Sequence, residues 1–148
     1  IPIRKKNSSA TVDTTLLFED GNIFEGKWKF GNMNGFGQYT WEEIGSYKGN
    51  WLDGKKHGYG TMVWIDGSKY DGKWALDEFN GYGTYYYNNG DVYKGEWKNG
   101  KKSGKGIFTW KSGNIYKGNW INGQRTGNGV MEMSDGEKWA VKILNLPN

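Results

Sequence analysis

The sequence predicts an all-β fold, a meander of about ten to twelve antiparallel strands. Three observations predict it. First, a pattern of aromatic and glycine residues recurs every 23 residues, which indicates a repeat array. Second, apolar and polar residues alternate with a period of two inside each copy, as in a strand with one buried face. Third, the turns are too short for the crossover that parallel strands need, so neighbouring strands are expected to be antiparallel.

The copies are counted from an aromatic residue that begins each of them: Phe24, Tyr47, Tyr70, Tyr93 and Tyr116. The full copies are expected at residues 24–46, 47–69, 70–92, 93–115 and 116–138. A half copy is predicted before them, at residues 14–23. Residues 1–13 are predicted as an amino-terminal tail or linker, and residues 139–148 as a capping strand or tail, because terminal repeats are usually atypical.

Each copy is expected to supply two strands. In the copy at residues 47–69, Tyr47, Gly49 and Trp51 are spaced by two, so they point to one face of the first strand. On the second strand, Gly58 and Gly60 are also spaced by two, so both point to the same face. Since glycine has no side chain, we expect both to leave room for aromatic rings from neighbouring strands.

Tight turns are predicted between the copies, because glycine and asparagine tolerate the positive φ that such turns require. These turn pairs are Asp66-Gly67, Asn89-Gly90, Ser112-Gly113 and Asp135-Gly136. The turn inside the third copy differs from its basic neighbours: Asp77-Glu78-Phe79 predicts an acidic and apolar loop tip. Loop tips of this kind are suited to partner-specific variation.

The repeated motif resembles the MORN repeat (membrane occupation and recognition nexus). Its parts are an aromatic residue, a charged residue, Gly, any residue and Trp, followed by Gly-x-Gly and a closing turn. In one copy these parts read Tyr93-Lys94-Gly95-Glu96-Trp97 and Gly104-Lys105-Gly106. The resemblance implies an elongated, single-layer, twisted antiparallel β-meander that serves as an interaction platform. It implies no reaction.

The composition indicates a core of aromatic rings. The chain has 9 Trp, 10 Tyr and 6 Phe beside 25 Gly, and few aliphatic residues. It has no cysteine, which excludes disulfides and thiol nucleophiles. No apolar run of about 18 residues predicts a membrane span. Arg4, Lys5 and Lys6 supply much of the net charge of +4, and the nearly neutral repeat region does not favour a nucleic-acid partner.

No catalytic group, metal site or cofactor is predicted. His57 is the only histidine, and it is interpreted as a solvated residue of a lysine-rich turn. No His/Cys cluster has the spacing of metal ligands. The segment from Gly100 to Gly106 weakly resembles a phosphate-binding loop, but it links two strands and no Ser or Thr follows its lysine. We therefore expect that the chain is not an enzyme.

One face of the sheet is expected to be aromatic. Beside the Tyr and Trp columns it carries a second apolar column: Tyr39, Met62, Tyr85, Phe108 and Met131. No segment has the helical period needed to cover this face. It must therefore close on itself, which would make the rings core, or be covered by a second copy of the chain or by a partner.

Large exposed apolar patches mark interaction surfaces, and Tyr and Trp are frequent binding anchors. The sequence therefore predicts a non-catalytic scaffold or adaptor that binds a protein in an aromatic groove. The partner is expected to be a peptide, a helix or a second copy of the chain in a homodimer. The candidate partner-binding residues are Tyr47, Trp51, Trp64, Tyr70, Trp74, Tyr87, Tyr93, Trp97 and Trp110.

Two alternatives remain open. Basic residues in equivalent turns form a possible edge for an anionic phospholipid surface: Lys55, Lys56, Lys101, Lys102 and Arg125. Asn32-Met33 and Asp77-Glu78 interrupt that edge, which favours the interpretation that its charges are only exposed to solvent.

The second alternative is a regulatory or docking part of a larger enzyme, because MORN-like arrays resemble segments beside phosphatidylinositol-phosphate kinase and lysine methyltransferase domains. The start at Ile1 fits a piece of a longer protein. We expect a cytoplasmic location, associated with the cytoskeleton or a membrane.

Overall fold

A computed structural model describes residues 9–145, which form twelve β-strands. The strands are β1 (Val12–Leu17), β2 (Ile23–Lys29), β3 (Asn32–Trp41), β4 (Gly45–Leu52), β5 (Lys55–Trp64), β6 (Lys69–Ala75), β7 (Glu78–Tyr86), β8 (Val92–Lys98), β9 (Lys101–Thr109), β10 (Ile115–Ile121), β11 (Gln124–Glu132) and β12 (Lys138–Ile143). None of the described residues belongs to a helix that could span a membrane.

The twelve strands follow chain order in one antiparallel sheet, which confirms the predicted all-β meander of hairpin repeats. The first strand begins at Val12 and the last ends at Ile143. Two parts of the sequence-based prediction lie outside the described residues: residues 1–8 of the tail, with its three early cations, and residues 146–148 of the cap.

The chain forms two compact units, Ile1–Glu78 and Phe79–Asn148. In the first unit, Tyr47 of β4 lies directly opposite Tyr39 of β3 and Met62 of β5. Residues that are directly paired across antiparallel strands have their side chains on the same face. The predicted aromatic columns therefore share one face of this unit.

The second unit repeats this register. Tyr93 of β8 lies opposite Tyr85 of β7 and Phe108 of β9. On β10, Tyr116 lies opposite Phe108 and also opposite Met131 of β11. The face that carries these columns in either unit is called the aromatic face from here on.

The core lies on the aromatic face. The aromatic residue that begins each copy is completely buried: Phe24, Tyr47, Tyr70, Tyr93 and Tyr116. The tryptophan four residues later is also buried in the later copies: Trp51, Trp74, Trp97 and Trp120. Each such pair packs edge to face, with centroids 4.9 Å apart for Tyr47 and Trp51 and 5.0 Å apart for Tyr93 and Trp97. This is the arrangement that the ring quadrupole favours.

Apart from the Tyr116 hydroxyl, which has no hydrogen-bond partner among the described residues, the polar ends of these rings are hydrogen-bonded to the backbone, as buried polar groups usually are. The Tyr47 hydroxyl donates to the carbonyl of Asn50 at 2.8 Å. Trp51 Nε1 donates to the carbonyl of Gly37 at 3.0 Å. Equivalent bonds recur in later copies, for example from Trp97 to Gly83 at 3.1 Å. The motif tryptophans are thus bonded to a strand of the preceding copy, which joins one copy to the next.

The two glycines of each Gly-x-Gly pair differ in role. A Cβ at Gly60 would collide with the hydroxyl and ring of Tyr47, so this glycine leaves room for a buried ring as expected. For Gly58 the same expectation is wrong, because its Cβ would meet only the side chain of Asn50, at 3.4 Å. Gly58 instead has a φ of 78°, and the register between β4 and β5 shifts beside it, after Gly49. Its role is to form the bulge.

Candidate functional site

Most of the predicted partner-binding residues belong to the core. Tyr47, Tyr70 and Tyr93 have no exposed surface, and Trp51, Trp74 and Trp97 are exposed by 7% at most. A partner would reach these rings only after displacing other side chains. The remaining three candidates, Trp64, Tyr87 and Trp110, are half-buried. The accessible part of the aromatic face therefore lies in a different row of rings.

In the second unit this row consists of Tyr85, Tyr87, Phe108 and Trp110, all half-buried. Consecutive rings in it are in contact: the centroids of Tyr85 and Tyr87 are 4.6 Å apart, those of Tyr87 and Phe108 are 5.7 Å apart, and those of Phe108 and Trp110 are 4.8 Å apart. We call these four residues the second-unit ring row. This row is packed against the core, since the ring centroid of Phe108 lies 6.2 Å from that of the buried Trp120.

The first unit has a comparable group in Phe18, Tyr39 and Trp41, which are also half-buried. The ring centroids of Phe18 and Tyr39 are 5.7 Å apart, and those of Tyr39 and Trp41 are 4.5 Å apart. Trp41 in turn lies 6.4 Å from the buried Trp51. Each unit therefore offers its own continuous strip of aromatic surface.

The candidates chosen from the sequence left out Tyr39, Tyr85 and Phe108, although all three stand in the second apolar column. Their position opposite the motif tyrosines could have identified them, because a ring at that position is expected to be only partly covered. Phe79 was also predicted in the loop tip, which is wrong: the turn is formed by Leu76 and Asp77, and Phe79 lies in β7. Its ring packs 5.1 Å from Trp97 and 5.9 Å from Tyr85.

The five basic candidates are divided between the two faces. Lys55 and Lys101 are exposed. The next residue in each copy lies directly opposite a buried tryptophan and so belongs to the aromatic face: Lys56 opposite Trp51, Lys102 opposite Trp97, and Arg125 opposite Trp120. The alternation in the sequence predicts this placement. Each of these three residues comes four positions before the second glycine of its copy, so it points to the same face of the strand.

Lys102 lies among four aromatic rings. Its Nζ is 5.4 Å from the ring centroid of Tyr87, 5.6 Å from Tyr93, 5.4 Å from Phe108 and 5.1 Å from Trp120. It donates a hydrogen bond of 2.9 Å to the Tyr87 hydroxyl. Burial among these rings lowers the pKa of Lys102, because removal from water disfavours the charged form. We call this arrangement the Lys102 box.

The tyrosine that accepts this bond is held neutral. Burial, and then the negative charge of Asp91, raise the pKa of Tyr87. A neutral phenol provides the lysine with a hydrogen-bond acceptor but with no counter-charge.

The equivalent lysine of the first unit has a counter-charge. Lys56 Nζ lies 5.3 Å from the ring centroid of Trp41, 5.9 Å from Tyr47 and 5.3 Å from Trp74. A carboxylate oxygen of Asp77 is 3.5 Å away, and the same oxygen accepts the backbone N–H of Lys56 at 2.8 Å. Burial and the nearby Asp77 charge raise the pKa of Tyr47, which keeps that phenol neutral as well.

Arg125 completes the series. Its Cζ is 5.8 Å from the ring centroid of Trp110 and 5.4 Å from Tyr116, and the residue is exposed. Within residues 9–145, neither Arg125 nor Lys102 has a carboxylate within ion-pair distance. The aromatic face of the second unit therefore carries two cations whose charges the described part of the chain does not neutralise.

The described residues contain no group of three or more His, Cys, Asp or Glu side chains placed to bind a metal ion. His57 lies in β5 rather than in a turn, and it is half-buried. Its Nδ1 accepts the backbone N–H of Leu76 at 3.3 Å. The interpretation of this histidine as a solvated turn residue is therefore wrong, and its observed contact is structural.

The comparisons with known proteins agree with this architecture. The family model described as MORN repeat matches residues 24–43, 47–69, 70–92, 93–115 and 116–138. Among solved structures, the chain is similar to the TCP domain of SAS-4 (dCPAP) from Drosophila melanogaster, in a complex with a proline-rich motif of Ana2 (dSTIL). The identity is 12%, the TM-score is 0.58, and the match covers 87% of this chain and 70% of that one. No curated protein matches the chain significantly.

Proposed function

The chain belongs to the MORN-repeat family, and from this premise we propose that it is a non-catalytic module that binds an extended segment of a partner protein. The binding surface is the ring row of each unit. The observation that carries the proposal is the second-unit ring row, in which four aromatic rings in contact remain half-exposed beside a closed core. Such rings offer apolar area to a ligand without any cost to the core that holds them in place.

A proline-containing segment suits this surface. Proline-rich peptides in the polyproline II conformation dock on grooves lined by aromatic side chains, and they lose little entropy because the helix is already formed. The TCP domain with a similar fold was solved with a proline-rich motif, which supports a ligand of this class. Rows of Tyr, Phe and Trp supply the flat contacts that prolines need.

The other two functions have less support. A membrane surface would favour basic residues that share one side of the protein. Here Lys55 and Lys101 are exposed, whereas Lys56 and Lys102 are half-buried among rings. A docking role within a larger enzyme is compatible with peptide binding, and it would use the same ring rows.

The proposal is tested by selecting peptides from a phage-displayed library of random dodecapeptides on the native chain. The affinities of the selected peptides are then measured for Trp110→Ala and for Tyr82→Ala. Trp110 belongs to the second-unit ring row, whereas Tyr82 is 54% exposed on the opposite face of the same unit, where it pairs with Glu96. Because aromatic anchors dominate binding energies, we expect Trp110→Ala to weaken binding about 30-fold or more.

Tyr82→Ala is expected to leave the affinity within about twofold of that of the native chain. Circular dichroism of both variants checks that they remain folded. If no peptide is selected, or if Tyr82→Ala weakens binding as much as Trp110→Ala does, the ring row is not a peptide site.

A further inference from the structure

Lys102 links the closed core of the second unit to its accessible rings. Its ammonium lies over two buried rings, those of Tyr93 and Trp120. It also lies over two members of the second-unit ring row, Tyr87 and Phe108. The lysine is half-buried, so it is not sealed inside the core. A peptide segment that lies on the ring row would therefore pass beside a positive charge.

This ammonium has bonding capacity that the described part of the chain does not use. A lysine ammonium has three donors, and one of them is bonded to the Tyr87 hydroxyl at 2.9 Å. No carboxylate among the described residues lies within ion-pair distance of Lys102. Asp91, whose charge acts on Tyr87, is bonded instead to Asn89 and to the backbone N–H of Lys111. A cation that is partly removed from water without a counter-charge favours an anion supplied by a ligand.

The first unit has the same arrangement with a counter-charge in place. Lys56 also lies among aromatic rings, and a carboxylate oxygen of Asp77 is 3.5 Å from its Nζ. The backbone N–H of Asp77 donates to the Lys56 carbonyl at 2.8 Å. In the second unit the equivalent N–H belongs to Gly123 and donates to the Lys102 carbonyl at 2.9 Å. Gly123 thus stands where Asp77 stands, but it has no side chain to neutralise the lysine.

From these observations we infer that the second unit selects a partner segment with an acidic side chain, whose carboxylate pairs with Lys102 as Asp77 pairs with Lys56. The inference rests on the proposed function, and it names the chemistry of the segment. Residues beside the acidic one would pack on Tyr87 and Phe108, which contact the same ammonium. A carboxylate brings one negative charge to this one cation, whereas a phosphorylated side chain would bring about 1.5 to 2. The resulting hydrogen bond would be charge-assisted.

Lys102→Met removes the cation with a side chain that this position of the fold accepts. Met33 occupies the equivalent position of the first copy, opposite the motif tryptophan Trp28. Methionine also keeps a long, flexible side chain that can pack among the rings. The matched control is Lys101→Met, which removes the same charge from the neighbouring exposed residue of β9.

Gly123→Asp keeps the cation and supplies the missing carboxylate from within the chain. A Cβ at Gly123 would meet nothing within 4 Å. Its φ of 84° is close to the 73° at which Asp77 already stands, so the chain itself shows that aspartate fits this turn. The matched control is Gly123→Asn, which has nearly the same shape without the charge, and asparagine tolerates a positive φ. Circular dichroism checks that all four variants remain folded.

The experiment selects a phage-displayed library of random dodecapeptides on the native chain and on each variant, and the bound clones are sequenced. On the native chain we expect Asp or Glu to be enriched at one position of the aligned peptides, next to an apolar residue. Lys101→Met and Gly123→Asn should keep this enrichment. Lys102→Met and Gly123→Asp should lose it, because the first removes the cation and the second neutralises it.

Isothermal titration calorimetry at low salt then compares the most enriched peptide with a version in which the amide, Gln or Asn, replaces the acid. We expect the native chain to bind the acidic peptide roughly tenfold or more tightly, as one charge-assisted contact provides. Added salt should reduce this difference, because the contact is between charges.

Equal affinity for the two peptides, or selected peptides without an acidic position, would overturn the inference and leave peptide binding itself intact. If no peptide is selected on the native chain, the inference and the proposed function both fail. When acidic peptides are not selected, binding of phosphatidylserine vesicles that depends on Lys102 would assign the charge to a membrane surface instead. A dimer in light scattering that depends on Lys102 would assign it to a second copy of the chain.

Discussion

Single glycine residues explain how a side chain as large as tyrosine is buried against the backbone of a strand. The Tyr47 ring lies over Gly60 of the neighbouring strand and over Gly49 of its own, where an added Cβ would meet the Tyr47 hydroxyl at 2.8 Å. The ring thus takes the space that side chains would otherwise fill. The position opposite the motif tryptophan, in contrast, varies between copies: it holds Met33, Lys56, Lys102 and Arg125 opposite Trp28, Trp51, Trp97 and Trp120.

We predict that Gly60→Ala destabilises the protein by about 2–3 kcal/mol, the usual cost of forcing a group into a filled core. The new methyl group would collide with the Tyr47 ring, which is completely buried and cannot move aside. Free energies of unfolding from urea titrations provide the measurement.

Gly67→Ala is the matched control for this prediction. A Cβ at Gly67 would meet nothing within 4 Å, but the φ of 90° disfavours alanine. The expected cost is about 1 kcal/mol, from the backbone alone. A smaller loss for Gly60→Ala than for Gly67→Ala would show that the Tyr47 ring is not held against the strand.

At the scale of strands, the bulges decide which residue lies opposite each motif tryptophan. The register shifts after Gly49 in the first unit and after Gly95 in the second, and the shift brings Lys56 and Lys102 opposite the motif tryptophans.

An ion-pair cluster joins the last three strands of the sheet. Glu132 of β11 accepts hydrogen bonds from Lys117 of β10 at 3.0 Å and from Lys138 of β12 at 3.1 Å.

This cluster predicts a pH-dependent attachment of β12. The hydrogen bonds from Lys117 and Lys138 lower the pKa of Glu132 below its ordinary value of 4.5. A group with a lowered folded pKa contributes its full stabilisation above the unfolded value, and it loses that contribution as the pH falls through the folded value. Amide hydrogen-exchange protection factors of β12 should therefore decrease between pH 6 and pH 3.

In Glu132→Gln the protection of β12 should already be lower at pH 6 and should change less with pH. The amides of β8, which are distant in chain order, serve as the internal control. An unchanged native protection of β12 at pH 3 would mean that the cluster does not hold this strand.

At the scale of the whole molecule, the relevant property is the repetition of one set of contacts. From the second copy on, each motif tryptophan donates from Nε1 to a glycine carbonyl 14 residues earlier, at 3.0 Å for Trp51 and Trp74, 3.1 Å for Trp97 and 3.3 Å for Trp120. Because these contacts join neighbouring strands, stability is expected to be a sum over copies and their nearest neighbours.

Removing one entire copy should therefore leave a folded protein. Deletion of residues 93–115 brings two equivalent boundaries together, and we expect cooperative unfolding with a urea m-value that is lower by about one fifth. As a control, deletion of residues 93–103 removes β8 and the start of β9 and should abolish cooperative unfolding. Equal damage from both deletions would show that the copies are not interchangeable.

The 23-residue period and the alternation inside it were sufficient to predict the strands and their antiparallel order, because hydrophobic pattern and turn chemistry act locally. The same alternation placed Tyr39, Tyr85 and Phe108 on the aromatic face. The sequence also supplied the reason that the motif needs glycine beside tyrosine.

Only the tertiary structure decided which rings are core and which are accessible. Tyr93 and Tyr116 share a face with Tyr85 and Phe108 in the second unit, yet only the motif tyrosines lie over paired glycines and become fully buried. The structure likewise decided that Lys102 has no carboxylate beside it whereas Lys56 has Asp77. Burial and charge pairing depend on contacts between strands far apart in sequence, which a one-dimensional pattern does not contain.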